Sequence, residues 1–366
     1  MSESAFYKVA RLSVKAATMP FPVNENVVNI LKLVINEEHA NFILKAFKTK
    51  WLSEKDIIAK TQMDDNYVRE MLHDLTHIGI IINLPHPKTG VEHFKVVAFF
   101  PGLLEFTLMK GERGEKQKKI AQLWENIFMD FKDSTQQNYE KTISRFKQFN
   151  VGTDRVIPVE KELSSGQDTV LPLEDVKTII NSHDVIGVAV CYCRHRNDLL
   201  NNPCKVTDVR ENCILLGRTA QYCIQNGFAR EISKEEALTI LKQAEDEGLV
   251  HKAFHQKLDP TSEFEGLCNC CACCCGTFYN YHSGAMPAMS YSSYLAQVDQ
   301  DLCVNCGTCV KLCPMKAIDL NGDFAVVNQE KCIGCGVCAH HCPEEAIELK
   351  RIGERLVFIP PPKIEN

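Results

Sequence analysis

One cysteine spacing occurs twice near the C-terminus and constrains the fold more than any other stretch. It reads Cys303-x-x-Cys306-x-x-Cys309-x-x-x-Cys313-Pro314, then Cys332-x-x-Cys335-x-x-Cys338-x-x-x-Cys342-Pro343. Three thiolates at this spacing wrap one corner of a metal–sulfur cube, while the fourth leaves the turn and reaches a second cube. The copies stay in phase beyond their cysteines, since each continues into Ala-Ile (Ala317, Ile318; Ala346, Ile347). Such a pair calls for two [4Fe-4S] clusters with crossed ligands: Cys303, Cys306, Cys309 and Cys342 for one, Cys332, Cys335, Cys338 and Cys313 for the other. Two zinc knuckles are the alternative. They fit poorly, because a zinc site rarely needs a third evenly spaced cysteine followed by Cys-Pro.

From Val298 to Leu349 the chain resembles the bacterial dicluster ferredoxin family. The resemblance implies a C-terminal ferredoxin domain, expected at 296–350, that carries single electrons. Upstream of it, 366 residues predict two or three domains at about 100–200 residues each. With 45% hydrophobic and 24% charged residues, the composition is that of a globular protein. No apolar run approaches the roughly 20 residues that span a bilayer, so membrane insertion is not expected. Met1 to Pro22 carries Lys8, Arg11 and Lys15 but no continuous apolar core or small-residue cleavage site, so it does not read as a secretory signal. The expected location is cytoplasmic. In that reducing compartment nineteen cysteines are better spent on metal than on disulfides. A net charge of −6 gives no global pull toward nucleic acid or acidic lipid. Oxygen-labile clusters further suggest an anaerobic source.

From Asn24 the apolar positions predict a short helix (Val27, Val28, Ile30, Leu31), a second over Glu38 to Lys48, and a third from Glu54 to Lys60 opened by Ser53-x-x-Asp56. A longer helix follows to His77, capped by Asp64 or Asp65 and ended by Gly79, and then two β runs, Ile80 to Leu84 and Phe94 to Phe100. Helices followed by a hairpin resemble the winged-helix family, and 24–110 is expected to form a winged-helix-like domain. A DNA-reading member would put cations on its recognition helix. Here Asp64, Asp65, Glu70 and Asp74 stand against Arg69 alone, so DNA is not the expected partner and protein docking or a structural role is preferred. Residues 111–149 carry Ile120, Leu123, Trp124, Ile127, Phe128 and Phe131 at helical spacing and predict a connecting amphipathic helix. Gly152, Pro158, Ser164, Ser165 and Gly166 mark a linker.

A cysteine-rich α/β domain is expected at 173–282. An apolar strand, Val185 to Val190, delivers the chain to Cys191-Tyr192-Cys193-Arg194-His195-Arg196; Cys204 and Cys213 follow, then the run Cys268, Cys270, Cys271, Cys273, Cys274, Cys275. Crowded unligated thiols would be an oxidation liability, so these ten are candidate metal ligands. Neighbours in an extended segment point to opposite sides, so Cys270 and Cys271 more easily serve two centres than one. One tetrahedral zinc would leave many thiols idle. At least one further iron–sulfur centre is therefore preferred over structural zinc or redox-active thiols. Arg194, His195 and Arg196 either tune these thiols or are solvated at the surface. His251, His255, His340 and His341 read as hydrogen-bonded or solvated rather than ligating, and Cys223 as a small buried hydrophobe.

Taken together, Cys-x-Cys-Arg, Gly248-Leu249-Val250-His251, the cysteine run and the terminal repeat resemble ferredoxin-type proteins of anaerobic bacteria and archaea. The resemblance implies a redox role without naming a substrate. Cys274-Cys275-Gly276 is similar, once, to the Cys-Cys-Gly motif of heterodisulfide reductase subunits, but their longer repeats are absent and that activity is not carried over. The expected fold class is multidomain α+β. The expected function is electron transfer between the two C-terminal clusters, a central metallocentre and a redox partner protein or oxidoreductase complex. No glycine fingerprint for a dinucleotide or phosphate loop is present, so hydride chemistry would have to come from the partner. Two alternatives are an iron–sulfur reductase with a catalytic central centre and a redox-sensing winged-helix regulator.

Overall fold

The computed structural model describes residues 3–17, 22–159, 172–255 and 263–364. Ser164, Ser165 and Gly166 of the expected linker lie outside these. The fold is mixed α+β, and the chain divides into two units, one formed by 1–127, 195–202 and 221–230, the other by 128–194, 203–220 and 231–366.

In the first unit polar caps set the helix starts. Ser4 caps α1 (Ala5–Lys15), Asn24 caps α2 (Glu25–Val34) and Asn36 caps α3 (Glu37–Ala46), each side chain accepting a backbone N–H three residues on. After the short strand β1 (Leu52–Ser53), Ser53 and Asp56 form a reciprocal capping box on α4 (Glu54–Thr61). Asp64 caps α5 (Asp65–Ile78), which Gly79 ends in a left-handed conformation at φ 86°. A side chain at Gly79 would also strike Phe106, 2.7 Å from where its Cβ would sit. β2 (Ile81–Pro85) and β3 (Glu92–Val96) form a hairpin, and β1 pairs on the outside of β3. The expected run Phe94 to Phe100 thus ends as a strand at Val96, and α6 (Leu104–Met109) follows soon after. The core of this unit includes Val27, Ile30, Leu31, Phe42, Ile43, Ile57, Val68 and Leu75, the first three at positions that helical periodicity predicts.

The stretch read as one connecting helix forms two, α7 (Glu115–Gln137) and α8 (Tyr139–Phe149). The unit division falls within α7, between Ile127 and Phe128. No helix among the described residues is long and apolar enough to cross a membrane.

The second unit is built on an eight-stranded sheet. After α8 the chain runs β4 (Asp154–Ile157), α9 (Val176–Asn181), β5 (Ile186–Val190), α10 (Tyr192–Leu199), β6 (Glu211–Leu216), α11 (Gly217–Gln225), β7 (Arg230–Glu231), α12 (Lys234–Asp246), β8 (Val250–His255), β9 (Phe264–Cys270), α13 (Gly276–His282) and β10 (Ala288–Val298), with 195–202 and 221–230 belonging to the first unit. Then come α14 (Thr308–Leu312), β11 (Ile318–Leu320), β12 (Ala325–Val327), α15 (Val337–His340) and β13 (Ile347–Ile359). The strand order is β13-β10-β4-β8-β9-β6-β5-β7, with β10 parallel to β4. Alternation along the strands sorts the side chains. Ile157, Ile214, Ala253 and Leu267 join one core cluster with Ile179, Ile180 and Leu241 of α9 and α12, while Val156, Val250 and Cys270 join another. At the heart of the sheet, buried Lys252 places its Nζ 3.1 Å from Asp154, which also accepts from Ser290 at 2.7 Å.

The two strands that flank the cysteine ladder, β10 and β13, belong to this same sheet. They pair with each other in antiparallel register from Ala288↔Ile359 to Val298↔Ile347, interrupted between Ser292 and Tyr294.

Candidate metal centres

The ladder repeats in its backbone as well as in its sequence. Asn305 and Gly307 adopt left-handed φ in the first half, as Gly334 and Gly336 do in the second, and Lys316 and Glu345 likewise match. These kinks turn the chain around its sulfurs. At Gly334 nothing larger fits, because a Cβ would lie 2.2 Å from the Tyr294 carbonyl oxygen. Two cavities result. One is lined by Cys332, Cys335 and Cys338 together with Cys313; the other by Cys303, Cys306 and Cys309 together with Cys342. Among the described residues none of these ladder sulfurs lies in hydrogen-bonding contact with another. Instead the N–H groups of Ala317, Ala346 and Ala325 donate to Cys313, Cys342 and Cys303 at 3.2, 3.3 and 3.4 Å.

The cavities differ in exposure. Around the first, burial pushes the Cys335 thiol up to about 12. Around the second, Cys306 is exposed and its thiol is lowered, first by its contact with Thr308 Oγ1. Val304 and Leu302 beside it are 61% and 52% exposed.

The ten central cysteines separate into two groups. Cys204, Cys271, Cys273 and Cys274 bring their sulfurs within 4.8 Å of one another. Cys204–Cys271, Cys204–Cys273, Cys271–Cys273 and Cys273–Cys274 are each 3.6 Å apart. This knot joins the loop after α10 to the turn after β9, and it packs on Ala244 and Leu249. Cys204 is held well below the ordinary thiol range by its contacts with Cys271, Cys273 and Cys274, and Cys271 well above it by the same contacts, that with Cys204 foremost.

The second group gathers around the ends of β5 and β9 and the strand β6. Cys213 and Cys268 are register partners on β6 and β9, Cys270 lies two residues beyond Cys268, and Cys191 follows β5 directly. Contacts run from Cys191 to Cys213, on to Cys268 and then to Cys270, whose sulfur is 3.2 Å from Cys275. Cys193 accepts the Gly276 N–H at 3.4 Å. Adjacent Cys270 and Cys271 therefore part to different groups, in keeping with their alternation.

Two buried cations face these sulfurs. Arg194 is 0% exposed; its Nη2 donates to the Asn269 carbonyl at 2.8 Å, while Nε and Nη1 have no hydrogen-bond partner. Burial works against its charge, but the thiolates of Cys191, Cys271, Cys204 and Cys213 more than offset this. Lys252 faces Cys275 and Cys270. His195 and Arg196, in the first unit, are buried as well, with His195 Nε2 2.8 Å from the Glu112 carbonyl and Arg196 bonded to Asn197. Surface solvation thus describes none of the three residues after Cys193. His251 bonds Asn269 and Glu245, His340 bonds Asp246, and His341 bonds the Glu245 carbonyl. Cys223 is buried in α11 of the first unit.

Paired cavities walled by cysteines at the ladder spacing define the class: this is an iron–sulfur protein. In particular, residues 296–349 match the family described as a 4Fe-4S dicluster domain. Comparison with curated proteins and with solved structures returned no match for the chain.

Proposed function

We propose that this chain moves single electrons between a partner oxidoreductase, two [4Fe-4S] clusters and a further iron–sulfur centre on the central sheet. One observation carries the reading. Cys270 and Cys275 share a single apolar cluster with Met315, Ile333, Cys335 and Val337, so the second thiol group and the inner ladder cavity are wrapped by one water-excluding core. In this reading Cys332, Cys335, Cys338 and Cys313 hold the inner cluster, Cys303, Cys306, Cys309 and Cys342 the outer one, and Cys191, Cys193, Cys213, Cys268, Cys270 and Cys275 supply the ligands of the central centre, a cluster other than a cubane because Cys270 and Cys275 lie 3.2 Å apart. Each bound cluster contributes a one-electron couple whose potential depends on hydrogen bonds to sulfur and on solvent exposure. The chain sets both. Backbone donors at Ala317, Ala325 and Ala346 favour the more negative, reduced state, and Arg194 and Lys252 do the same at the central thiols. Exposed Cys306, with Leu302 and Val304 around it, offers the partner a contact point at the outer cluster.

The N-terminal unit is read as a winged-helix-like module for docking protein. Its helix order and three-stranded sheet support that reading. So does Arg69, the cation of α5 that would meet a phosphate, whose Nε lies 2.9 Å from Glu54.

Iron and acid-labile sulfide per chain, with electron paramagnetic resonance through a reductive titration, test the relay. The ladder alone accounts for about eight irons. Anaerobically prepared protein should exceed that and show a third signal that Cys270→Ser abolishes while the ladder signals persist. Eight irons and no third signal would remove the central centre from the path.

A further inference from the structure

We propose that Cys204, Cys271, Cys273 and Cys274 hold one zinc ion, in a closed tetrahedral site separate from the electron-carrying centres. Sulfur geometry supports this site independently of the relay. A metal about 2.3 Å from each of four thiolates places those sulfurs about 3.8 Å apart. The knot shows 3.6 Å at each of its hydrogen-bonded edges, and all four sulfurs fall within 4.8 Å. A cubane cannot accept this set, because each thiolate sits outside its own iron and the ligands are driven much farther apart. The ladder of the same chain provides the contrast: its sulfurs stand clear of one another around two cavities, each lined by four cysteines.

Charge points the same way. Four thiolates around a divalent ion leave a net charge of about −2, and Arg194 faces Cys204 and Cys271 with two buried nitrogens, Nε and Nη1, that have no hydrogen-bond partner. A buried guanidinium needs an anion beside it. The tetrathiolate provides one, and Cys191 and Cys213 bring the second thiol group to the other side of the same cation.

Zinc is preferred over ferrous iron because a given sulfur site binds it more tightly, and four protein ligands leave no position open for chemistry. The ion would be structural. It would fasten Cys204, in the loop between α10 and β6, to the Cys271–Cys274 turn, from which Cys270 and Cys275 depart into the second group.

The test uses the full chain purified anaerobically. Metal analysis should find about one zinc per chain, and zinc-edge X-ray absorption should find four sulfurs at about 2.3 Å. Cys273→Ser, at the half-exposed rim of the knot, should lower retained zinc roughly tenfold after chelator treatment and leave iron content and the ladder resonance signals unchanged. Three results would overturn the proposal: absence of zinc from the wild-type chain, iron neighbours around the absorbing metal, or loss of several irons in Cys273→Ser. Because absorption is read on the wild-type chain, a variant that fails to fold does not shield the proposal. Absence of the third resonance signal from the wild-type chain, with zinc present, would reject the relay alone.

Discussion

Arg194 concentrates the electrostatics of the central region in one side chain. It is fully buried, faces sulfurs of both thiol groups and is held by a single hydrogen bond to the Asn269 carbonyl. Arg194→Met keeps bulk and removes charge. Under the proposed relay the reduced central centre would lose a counter-ion, and its midpoint in a reductive titration should move negative by roughly 60–120 mV, a ten- to hundredfold change in its one-electron equilibrium. The ladder signals should keep their potentials. A merely structural arginine would move stability without moving that midpoint. The sequence shows this residue but not its burial. Cys191 to Arg196 is too polar to carry an apolar period, so helix and loop, inside and outside, read alike. By contrast, the ladder cysteines are legible from spacing alone, because the required turns are local.

At the scale of elements the same division between local and distant signals recurs. The capping box of Ser53 and Asp56, the Asp64 cap and the Gly79 stop are each set within a few residues, and sequence and structure agree on them. What sorts the ten central cysteines into two groups is the register of β6 against β9 and the return of the loop after α10, which no local pattern encodes. Alternation foretold only that Cys270 and Cys271 would part. A second local feature carries a pH dependence. Glu105 of α6 accepts the Gly102 N–H at 2.6 Å, yet burial pushes its carboxyl from an ordinary 4.5 up to about 7. Between those values the folded unit holds a proton that the unfolded chain releases, so stability falls as pH rises through that window and is not recovered above it. Glu105→Gln should remove this slope and stabilise the protein at pH 8 by on the order of 2–3 kcal/mol. Urea midpoints measured at pH 5 and pH 8 check it: wild type should lose ground on going to pH 8 while the variant does not.

For the molecule as a whole, the important fact is that the ladder is framed by strands of the central sheet. β10 presents one edge to β13 and the other to β4. The second edge includes the Thr153 N–H bond to the Met289 carbonyl at 2.8 Å and the Ser290–Asp154 bond at 2.7 Å. A fragment of residues 286–364 would keep the cysteines and lose that edge. It should be less stable in urea than the ladder within the full chain by roughly 2 kcal/mol, about one for each lost bond, and its bare strand should promote association. Equal stability, followed by cluster absorbance in the two proteins, would show the ladder to be self-sufficient. Nothing in a cysteine spacing reveals which strand lies beyond it, so the β4 edge is not legible from the repeat.

That strand order also has a consequence for synthesis. A chain folds from its N-terminal side as it is made, and β10 lies between β4, translated early, and β13, translated after every cysteine. All central thiols, ending with Cys275, leave the ribosome while the β4 edge is still bare. Cys313, Cys332, Cys335 and Cys338 follow, and Cys342 comes last. Under the proposed ligand sets, ligands become complete in chain order: those of the central sites first, the inner cluster's at Cys338, and the outer cluster's only at Cys342.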